Sequence, residues 1–455
     1  MTSTPTPRPD PPALSYAEVE RALLARWPET RIDPTLARIR ALVDLLGDPQ
    51  TAYPVIHLTG TNGKTSTGAI VDTLLRGLGL RSGRFSSPHL ESMTERISID
   101  GAPISTETFV RTYEDVAPYV EVVDRSGPHP VSYFEAITGM AYAAFADAPV
   151  DVAVVEVGMG GVWDATNVAD AQVAVVTPIA VDHSHYLGDR PETIAEEKSG
   201  IVKAGSYAVL AQQPLEAAEV LLRHAAEVGA TVAREGVEFG VVRRQPGVGG
   251  QLVTLRGLAR EYDEVFLPLY GGYQAQNAAV AVAAVEAFVG GIELDLDVVR
   301  EALGQVVVPG RLEVVRRSPT ILLDAAHNPA GCEATMAAVQ ESFAFSPLIG
   351  VVGVMADKDA AEMLAVLEPT LAHIVCTQNS TARSLPATEL GDLAEGIFGP
   401  DRVRVHTRLD DAIDAAAGLA EEGGSYGEAL GSGGVLVIGS VITAGEARTL
   451  LGSGR

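Results

Sequence analysis

The stretch Thr59-Gly-Thr-Asn-Gly-Lys-Thr-Ser66 constrains this chain more than any other. It follows the apolar run Tyr53-Pro-Val-Ile-His-Leu58 and leads into Thr67-Gly-Ala-Ile-Val-Asp-Thr-Leu-Leu75, which reads as a strand, a glycine loop and a helix start. Backbone N–H groups of such a loop face a phosphate, backed by the positive end of the helix dipole. In that reading Gly60, Thr61, Asn62, Gly63, Lys64 and Thr65 cradle the phosphates. Lys64 reaches the β/γ-phosphates and the Thr65 hydroxyl sits on Mg²⁺. Leu58 stands where the longer phosphate-loop motif wants glycine, so the loop is a shorter variant running from Gly60 to Thr65. The alternative is a glycine turn that merely joins strand to helix. ATP is the first inference.

A chain of 455 residues exceeds the length at which a single core stops growing, so two or more domains are expected. A formal charge of −26 opposes nucleic acid and anionic membranes as partners, because both would be repelled. Nucleotide binding needs only local positive potential and stays open. The two cysteines, Cys332 and Cys376, form no disulfide framework and suit a reducing cytoplasm. No apolar run is long enough to span a bilayer. The start of the chain, Met1-Thr-Ser-Thr-Pro-Thr-Pro-Arg-Pro-Asp-Pro-Pro12, has no signal-peptide core and reads as a disordered tail over residues 1–14. Ser15-Tyr-Ala-Glu18 matches a capping box ahead of a helix over 19–26.

Short β-rich runs at 150–157, 173–176, 207–211, 320–323, 349–354, 373–376 and 435–438 alternate with helical patterns such as 276–288 and 360–367. Strands spaced by helices imply βαβ units, a mainly parallel sheet, and ligands outside the carboxyl ends of the strands. Residues 231–272 read as a small β-rich excursion, and Val308-Pro-Gly-Arg311 as a boundary. The expected fold is α/β. A P-loop ATP-binding domain covers 15–309, and a C-terminal Rossmann-like α/β domain covers 310–455. No internal repeat is visible.

Charged residues at strand ends are the candidate chemistry. Glu156 closes an apolar run before Gly158-Met-Gly-Gly161; an acid there is costly unless paired, and Mg²⁺ on ATP is its natural partner. The alternative is a carboxylate satisfied by backbone N–H groups of the glycine loop. His183 and His185 follow the next strand through Asp182, where they are metal ligands or surface groups. Lys198, beside Glu196 and Glu197, has nothing in its spacing to set it apart from an exposed helical lysine. Asp324 and His327-Asn328-Pro329 lie past another strand, as ligands or as a helix cap. Asn277 stands at the start of an alanine-rich helix, as a ligand or an N-cap.

Taken together, the residues resemble the bacterial folylpolyglutamate synthase/dihydrofolate synthase family of Mur-ligase-like ATP-dependent amide ligases. The matching pieces begin with the phosphate loop, Ser86-Ser-Pro-His-Leu90 with Glu95-Arg96, Ser132-Tyr-Phe-Glu135, and Glu156-Val-Gly-Met-Gly-Gly161. They continue through Trp163-Asp-Ala-Thr-Asn167, Asp182-His183 with Leu187-Gly188, Glu197-Lys198 with Gly200-Ile201, Pro309-Gly-Arg311, and Asp324 with Ala326-His-Asn-Pro329. The order is the family's, over residues 53 to 330, with weaker similarity to the end.

The resemblance implies that Ser87 and Glu156 hold one Mg²⁺, and Glu156, His183 and Lys198 a second. It implies that Lys198 is carbamylated, since an ammonium cannot bind a cation but a carbamate oxygen can. Asn277, Arg311 and Asp324 are similar to ATP contacts, and His327 to a residue near the transferred phosphate or the incoming glutamate. Ser132, Tyr133, Phe134, Glu135, Trp163 and Asp164 resemble a pterin-side pocket, where flat rings stack. Three features depart from the pattern: Val162 replaces the usual arginine, Ser199 the usual alanine, and the pteroate loop finds no match around Arg26 to Arg31.

The implied partners are ATP, L-glutamate and dihydropteroate or a reduced folate, joined through an acyl phosphate by a cytoplasmic monomer. Lys64, Glu156, His183, Lys198 and His327 would carry the catalysis. One rival is a peptidoglycan-precursor ligase, which shares the glycine loop; its usual leading domain does not fit in the residues before Gly60. The other rival is a nucleotide-switched regulator, which needs no folate or glutamate.

Overall fold

The computed structural model describes residues 14–28, 31, 33–422 and 433–452. Apart from Leu14, the expected N-terminal tail lies outside the described residues, as does part of the Arg26 to Arg31 segment. Ser15 does form the capping box, on a helix that runs Tyr16–Leu24.

The first sheet contains eight strands: β1 (Val55–Thr59), β2 (Ser82–Phe85), β3 (Ile97–Ile99), β4 (Ala102–Pro103), β5 (Val152–Glu156), β6 (Val173–Val176), β7 (Tyr207–Leu210) and β8 (Thr231–Arg234). Their spatial order is β4-β3-β2-β5-β1-β6-β7-β8, parallel from β2 to β8, with β3 and β4 antiparallel at one edge. Every residue of β1 and β5 is buried. Burial on both faces explains why these strands read as continuous apolar runs rather than alternating ones. Since β5 and β6 flank β1 on opposite sides, the glycine loop after β1 opens at the topological switch point, where open α/β sheets bind ligands.

The β-rich excursion is a three-stranded antiparallel sheet of β9 (Gly240–Gly247), β10 (Gly250–Arg256) and β11 (Glu261–Leu267). Residues 231–234, read as part of that excursion, instead complete the first sheet. The Ala- and Val-rich helix Gly272–Phe288 is nearly all buried and packs against the helix Lys64–Gly77. It begins at Gly272, so Asn277 lies inside the helix rather than at its cap. Glu286 pins the excursion to this helix by accepting from Tyr262 Oη at 2.6 Å and from the Leu258 N–H.

The second large sheet holds β12 (Glu313–Arg317), β13 (Thr320–Leu323), β14 (Leu348–Val352), β15 (His373–Cys376), β16 (Val403–Val405) and β17 (Gly434–Ile438). Its order is β12-β13-β17-β14-β15-β16, parallel except for the edge strand β12. No helix among the described residues is long and apolar enough to cross a membrane.

Candidate active site

The turn after β1 needs glycine at two points. Gly60 has φ 141° and Gly63 φ 92°, and a Cβ on Gly60 would lie 1.9 Å from Thr177 Oγ1. The loop is tied to the strand end of β6 by Thr61, whose hydroxyl donates to the Ala180 carbonyl at 2.9 Å. Its Oγ1 also accepts from the Ala180 N–H at 3.0 Å. Gly60→Ala is therefore expected to weaken ADP binding by about a hundredfold, roughly 3 kcal/mol, as titration calorimetry would read it.

Two lysines converge on this loop. Lys64 Nζ donates to the Gly60 and Thr61 carbonyls at 3.0 and 3.3 Å, and Lys198 Nζ donates to the same Gly60 carbonyl at 2.8 Å. Burial pushes the Lys64 ammonium below its ordinary pKa, against the pull of Glu156 and Asp182. Burial, reinforced by the Lys64 charge, brings Lys198 down to about 7. Lys198 is only 4% exposed, so it is not the solvated helical lysine that spacing alone allowed. Its neighbour Glu197 accepts from the Trp163 N–H at 3.2 Å and so docks the helix Pro191–Ser199 on the glycine turn after β5.

Glu156 ends β5 beside the phosphate loop. Its Oε1 accepts from the Thr65 hydroxyl at 3.0 Å, while Oε2 is buried with no hydrogen-bond partner among the described residues. Burial raises its pKa, with Lys64 and Thr65 pulling the other way. A buried carboxylate oxygen without a donor, next to a Thr hydroxyl, is the donor chemistry a hard divalent cation takes. Ser87 lies just past β2, the strand paired with β5. No cluster of three His, Cys, Asp or Glu side chains among the described residues is arranged to hold a metal. A second cation at Glu156 and His183 would therefore need a donor from Lys198 or from the nucleotide.

Asp182 is the crossing point between the two large sheets. It pairs with Lys358 at 2.5 Å, accepts from Asn328 Nδ2 at 3.1 Å, and lies 3.5 Å from His327 Nε2. Asn328 also pairs with Asn62 of the phosphate loop, Nδ2 to Oδ1 at 3.1 Å, and caps its own helix through Gly331 at 2.8 Å. Burial resists ionisation of Asp182, but the His327 bond and the Lys358 ammonium, with His183 adding its charge once protonated in acid, hold it well below the usual carboxylate range.

His183, left-handed at φ 52°, is brought down to about 4 chiefly by burial, and stays neutral near pH 7. His185 is exposed. Lys358 escaped the sequence reading, although it follows β14 as Asp182 follows β6 and Asp324 follows β13. The rule applied to those two acids would have found it.

Removing the Asp182 charge leaves the Lys358 ammonium, on a side chain only 9% exposed, without its partner, so Asp182→Asn should cost about 3–5 kcal/mol in thermal or urea unfolding at neutral pH. Because the folded pKa lies below the unfolded one, wild type holds this stability above about pH 4 and loses it as pH falls further. The gap between wild type and variant should narrow over that acid range.

Asp324, past β13, accepts from the Leu312 and Ala326 N–H groups at 2.8 Å each, and from Thr335 at 3.1 Å. Burial raises its pKa and Arg311 opposes the rise. Asn277 donates to Gln274 at 3.0 Å, and a Cβ on Gly63 would lie 2.7 Å from Asn277 Oδ1, so the asparagine abuts the phosphate loop. His327 donates from Nδ1 to the Ala325 carbonyl at 2.9 Å. The Ser86-Ser-Pro-His-Leu90 segment also meets the second sheet's unit: a Cβ on Gly445 would come 2.1 Å from the Leu90 carbonyl oxygen. Arg448 bridges Glu91 and Glu313 alongside.

The residues assigned to a ring pocket divide. Tyr133 is buried with the Arg96 guanidinium 5.0 Å from its ring centre, Phe134 packs 5.9 Å from Phe85, and Trp163 borders Gly160. Ser132 and Glu135 form the capping box of the helix Tyr133–Asp147, and Glu135 pairs with Arg38 at 3.0 Å. Asp164 is turned onto the backbone of its own loop, accepting from the Met159 N–H at 2.9 Å. Val162, the departure from the family's arginine, is 47% exposed and its N–H donates to the Glu197 carbonyl at 3.0 Å.

The Mur ligase middle domain model matches residues 58–285, and the model for the Mur ligase glutamate ligase domain matches 310–441. Fold and site thus define a Mur-type ligase. Among curated proteins, the Mycobacterium tuberculosis dihydrofolate synthase/folylpolyglutamate synthase is 49% identical over 98% of this chain and 96% of its own. The Escherichia coli protein of the same name is 33% identical over 79% and 81%.

A solved Mycobacterium tuberculosis folylpolyglutamate synthase complexed with ADP superposes with a TM-score of 0.93. It is 50% identical and covers 96% of this chain and 98% of that one. E. coli FolC in complex with DHPP and ADP gives a TM-score of 0.83 at 29% identity, with 96% and 98% covered. The chain belongs to the dihydrofolate synthase/folylpolyglutamate synthase family and is an ATP-dependent ligase.

Proposed function

We propose that this enzyme joins L-glutamate to the carboxylate of dihydropteroate or a reduced folate, with ATP cleaved to ADP and phosphate. The observation that carries the reading is the convergence of Lys64, Lys198 and Glu156 on one glycine loop at the switch point. A carboxylate is too poor an electrophile to meet an amine directly. Its oxygen attacks the γ-phosphorus, ADP leaves, and the resulting acyl phosphate has a leaving group. The glutamate amine then adds to the acyl carbon, and phosphate departs as the amide forms and the amine proton is lost to solvent.

Gly60 to Thr65 orient the phosphates, and Lys64 offsets the charge that develops on the departing ADP. Asn277 beside Gly63, and Arg311 with Asp324 at the start of the second sheet, are the nucleotide's remaining contacts. Glu156 with Ser87, and Glu156 with His183 and a carbamylated Lys198, would hold two Mg²⁺, which supply charge neutralisation between carboxylate and phosphate. A lysine with a pKa near 7 is substantially unprotonated at neutral pH, the form that adds to carbon dioxide. His327 stands at the junction of the two units, facing the transferred phosphate or the amino acid. Tyr133, Phe134 and Trp163 line the ring pocket, while Ser132, Glu135 and Asp164 shape it through helix cap and loop.

We place the domain division at residues 15–309 and 310–455. We further propose a monomer working in a reducing cytoplasm, which suits two buried free cysteines. The test is phosphate release with Mg-ATP and L-glutamate, adding dihydropteroate or a reduced folate monoglutamate in parallel. Release with dihydropteroate, accompanied by a product heavier by one glutamyl unit, supports both activities. Turnover with the folate alone restricts the enzyme to tail extension and points to Val162 or to the unmatched pteroate loop around Arg26 to Arg31. Release indifferent to both acids overturns the proposal in favour of a nucleotide switch.

A further inference from the structure

His57 sits in the middle of β1, fully buried and paired in register with Val155 and Ala174, and no step above uses it. Its Nε2 lies 2.8 Å from Thr166 Oγ1, and that hydroxyl donates to Asp164 Oδ1 at 2.5 Å. The same carboxylate oxygen accepts from the Thr166 N–H at 2.9 Å, and Oδ2 accepts from the Met159 N–H at 2.9 Å. Burial raises the Asp164 pKa and these donors oppose the rise; with the Thr166 hydroxyl hydrogen given to Asp164, its oxygen accepts from His57. The imidazole hydrogen is therefore on Nε2.

Burial, with Lys203 adding to it, holds the imidazole pKa at about 3, and the ring stays neutral. Nδ1 is then a buried acceptor with no partner among the described residues, a cost that a valine in this strand would not incur. What histidine adds at this position is its donor.

The loop at the far end of this chain of bonds follows Glu156 directly. It is held a second time where the Thr59 hydroxyl donates to the Gly160 carbonyl at 2.8 Å. We propose that His57 is a positioning residue: through Thr166 and Asp164 it locks the glycine turn after Glu156 against the strand that carries the phosphate loop. The aim of the Glu156 carboxylate follows from that lock. The proposal rests on the Mg-ATP reading of Glu156 and adds a residue that reading lacks.

Three variants test it. His57→Leu removes the donor while keeping an apolar side chain of similar bulk, Thr166→Val cuts the middle link without adding volume, and His57→Gln restores an N–H near the Nε2 position. In nucleotide-free protein, hydrogen exchange of the amides from 157 to 167 should quicken about tenfold in His57→Leu and Thr166→Val, with the melting temperature unchanged or raised in His57→Leu and lowered in Thr166→Val, which strands the His57 donor. The Mg²⁺ concentration for half-maximal phosphate release should rise about tenfold in both, the scale expected for a residue that orients a metal ligand.

His57→Gln should bring both readouts back to within about twofold of wild type. Wild-type exchange in either folded variant overturns the proposal. So does a loss in His57→Leu, Thr166→Val and His57→Gln alike that merely follows a lower melting temperature. Wild-type release indifferent to Mg²⁺ would instead overturn the metal reading of Glu156, and the exchange data would still decide the His57 link.

Discussion

Lys64→Ala is expected to abolish ADP formation, with the rate of phosphate release falling by about a thousandfold or more. Lys64 is the first residue of the helix Lys64–Gly77 and is half-buried, with its ammonium on the loop carbonyls of Gly60 and Thr61. Alanine keeps the helix, since it is the best helix former, so the loss would come from the missing charge rather than from local unfolding. Removing the ammonium also removes the opposing charge from buried Glu156, whose pKa should then rise further above the ordinary carboxylate value. The checks are an ADP assay and calorimetric titration of ADP. Near-normal turnover would refute the assignment of Lys64 to the transferred phosphate. Lost turnover with unchanged melting would place the effect in the reaction.

The second large effect concerns Lys198. Lys198→Met, which keeps length and burial but removes the amine, should lower turnover by about a hundredfold or more, the scale of a lost ligand or charge in a catalytic site. If the working form is a carbamate, wild-type enzyme stripped of carbon dioxide should lose activity and regain it with bicarbonate, while the variant ignores both.

The lysine's own titration runs in a definite direction. Its folded pKa of about 7 lies below the unfolded value, so the unfolded chain binds more protons between the two. Its contribution to stability therefore rises with pH from about 7 to about 10.4. Lys198→Met should flatten that part of the stability curve, which melting temperatures across the alkaline range would show. Bicarbonate-independent wild-type activity would remove the carbamate from the mechanism and leave Lys198 as an unmodified amine.

Much of this protein was legible along the chain. Strands β6, β13 and β15 and the helix Ala360–Leu367 fall where their apolar runs end, because strands buried on both faces carry no polar interruption to blur their limits. The glycine loop was legible for a similar reason: Gly60 and Gly63 have backbone angles that favour glycine, so their spacing is written in the residues themselves. Acids at strand ends, Glu156, Asp182 and Asp324, stood out because an apolar run has no local reason to finish in a charge.

What the chain could not declare were choices settled by residues distant in sequence. Spacing alone did not set Lys198 apart from an exposed helical lysine; the glycine turn after β5 closes over its helix and removes the water that would have kept it charged. At Asn277 a ligand role and a helix cap both stood open; the helix begins at Gly272 and the asparagine is pressed against Gly63. Asp182 and Lys358 stand far apart in the sequence, in units built on different sheets, and neither residue type specifies the other. His57 looked like one more member of an apolar strand, its role invisible until Thr166 and Asp164 came within hydrogen-bond reach. Local backbone demands and burial periodicity are properties of neighbouring residues, so sequence determines them. The ionisation of a lysine or the partner of a buried acid depends on which groups share a desolvated volume, and only the tertiary structure decides that.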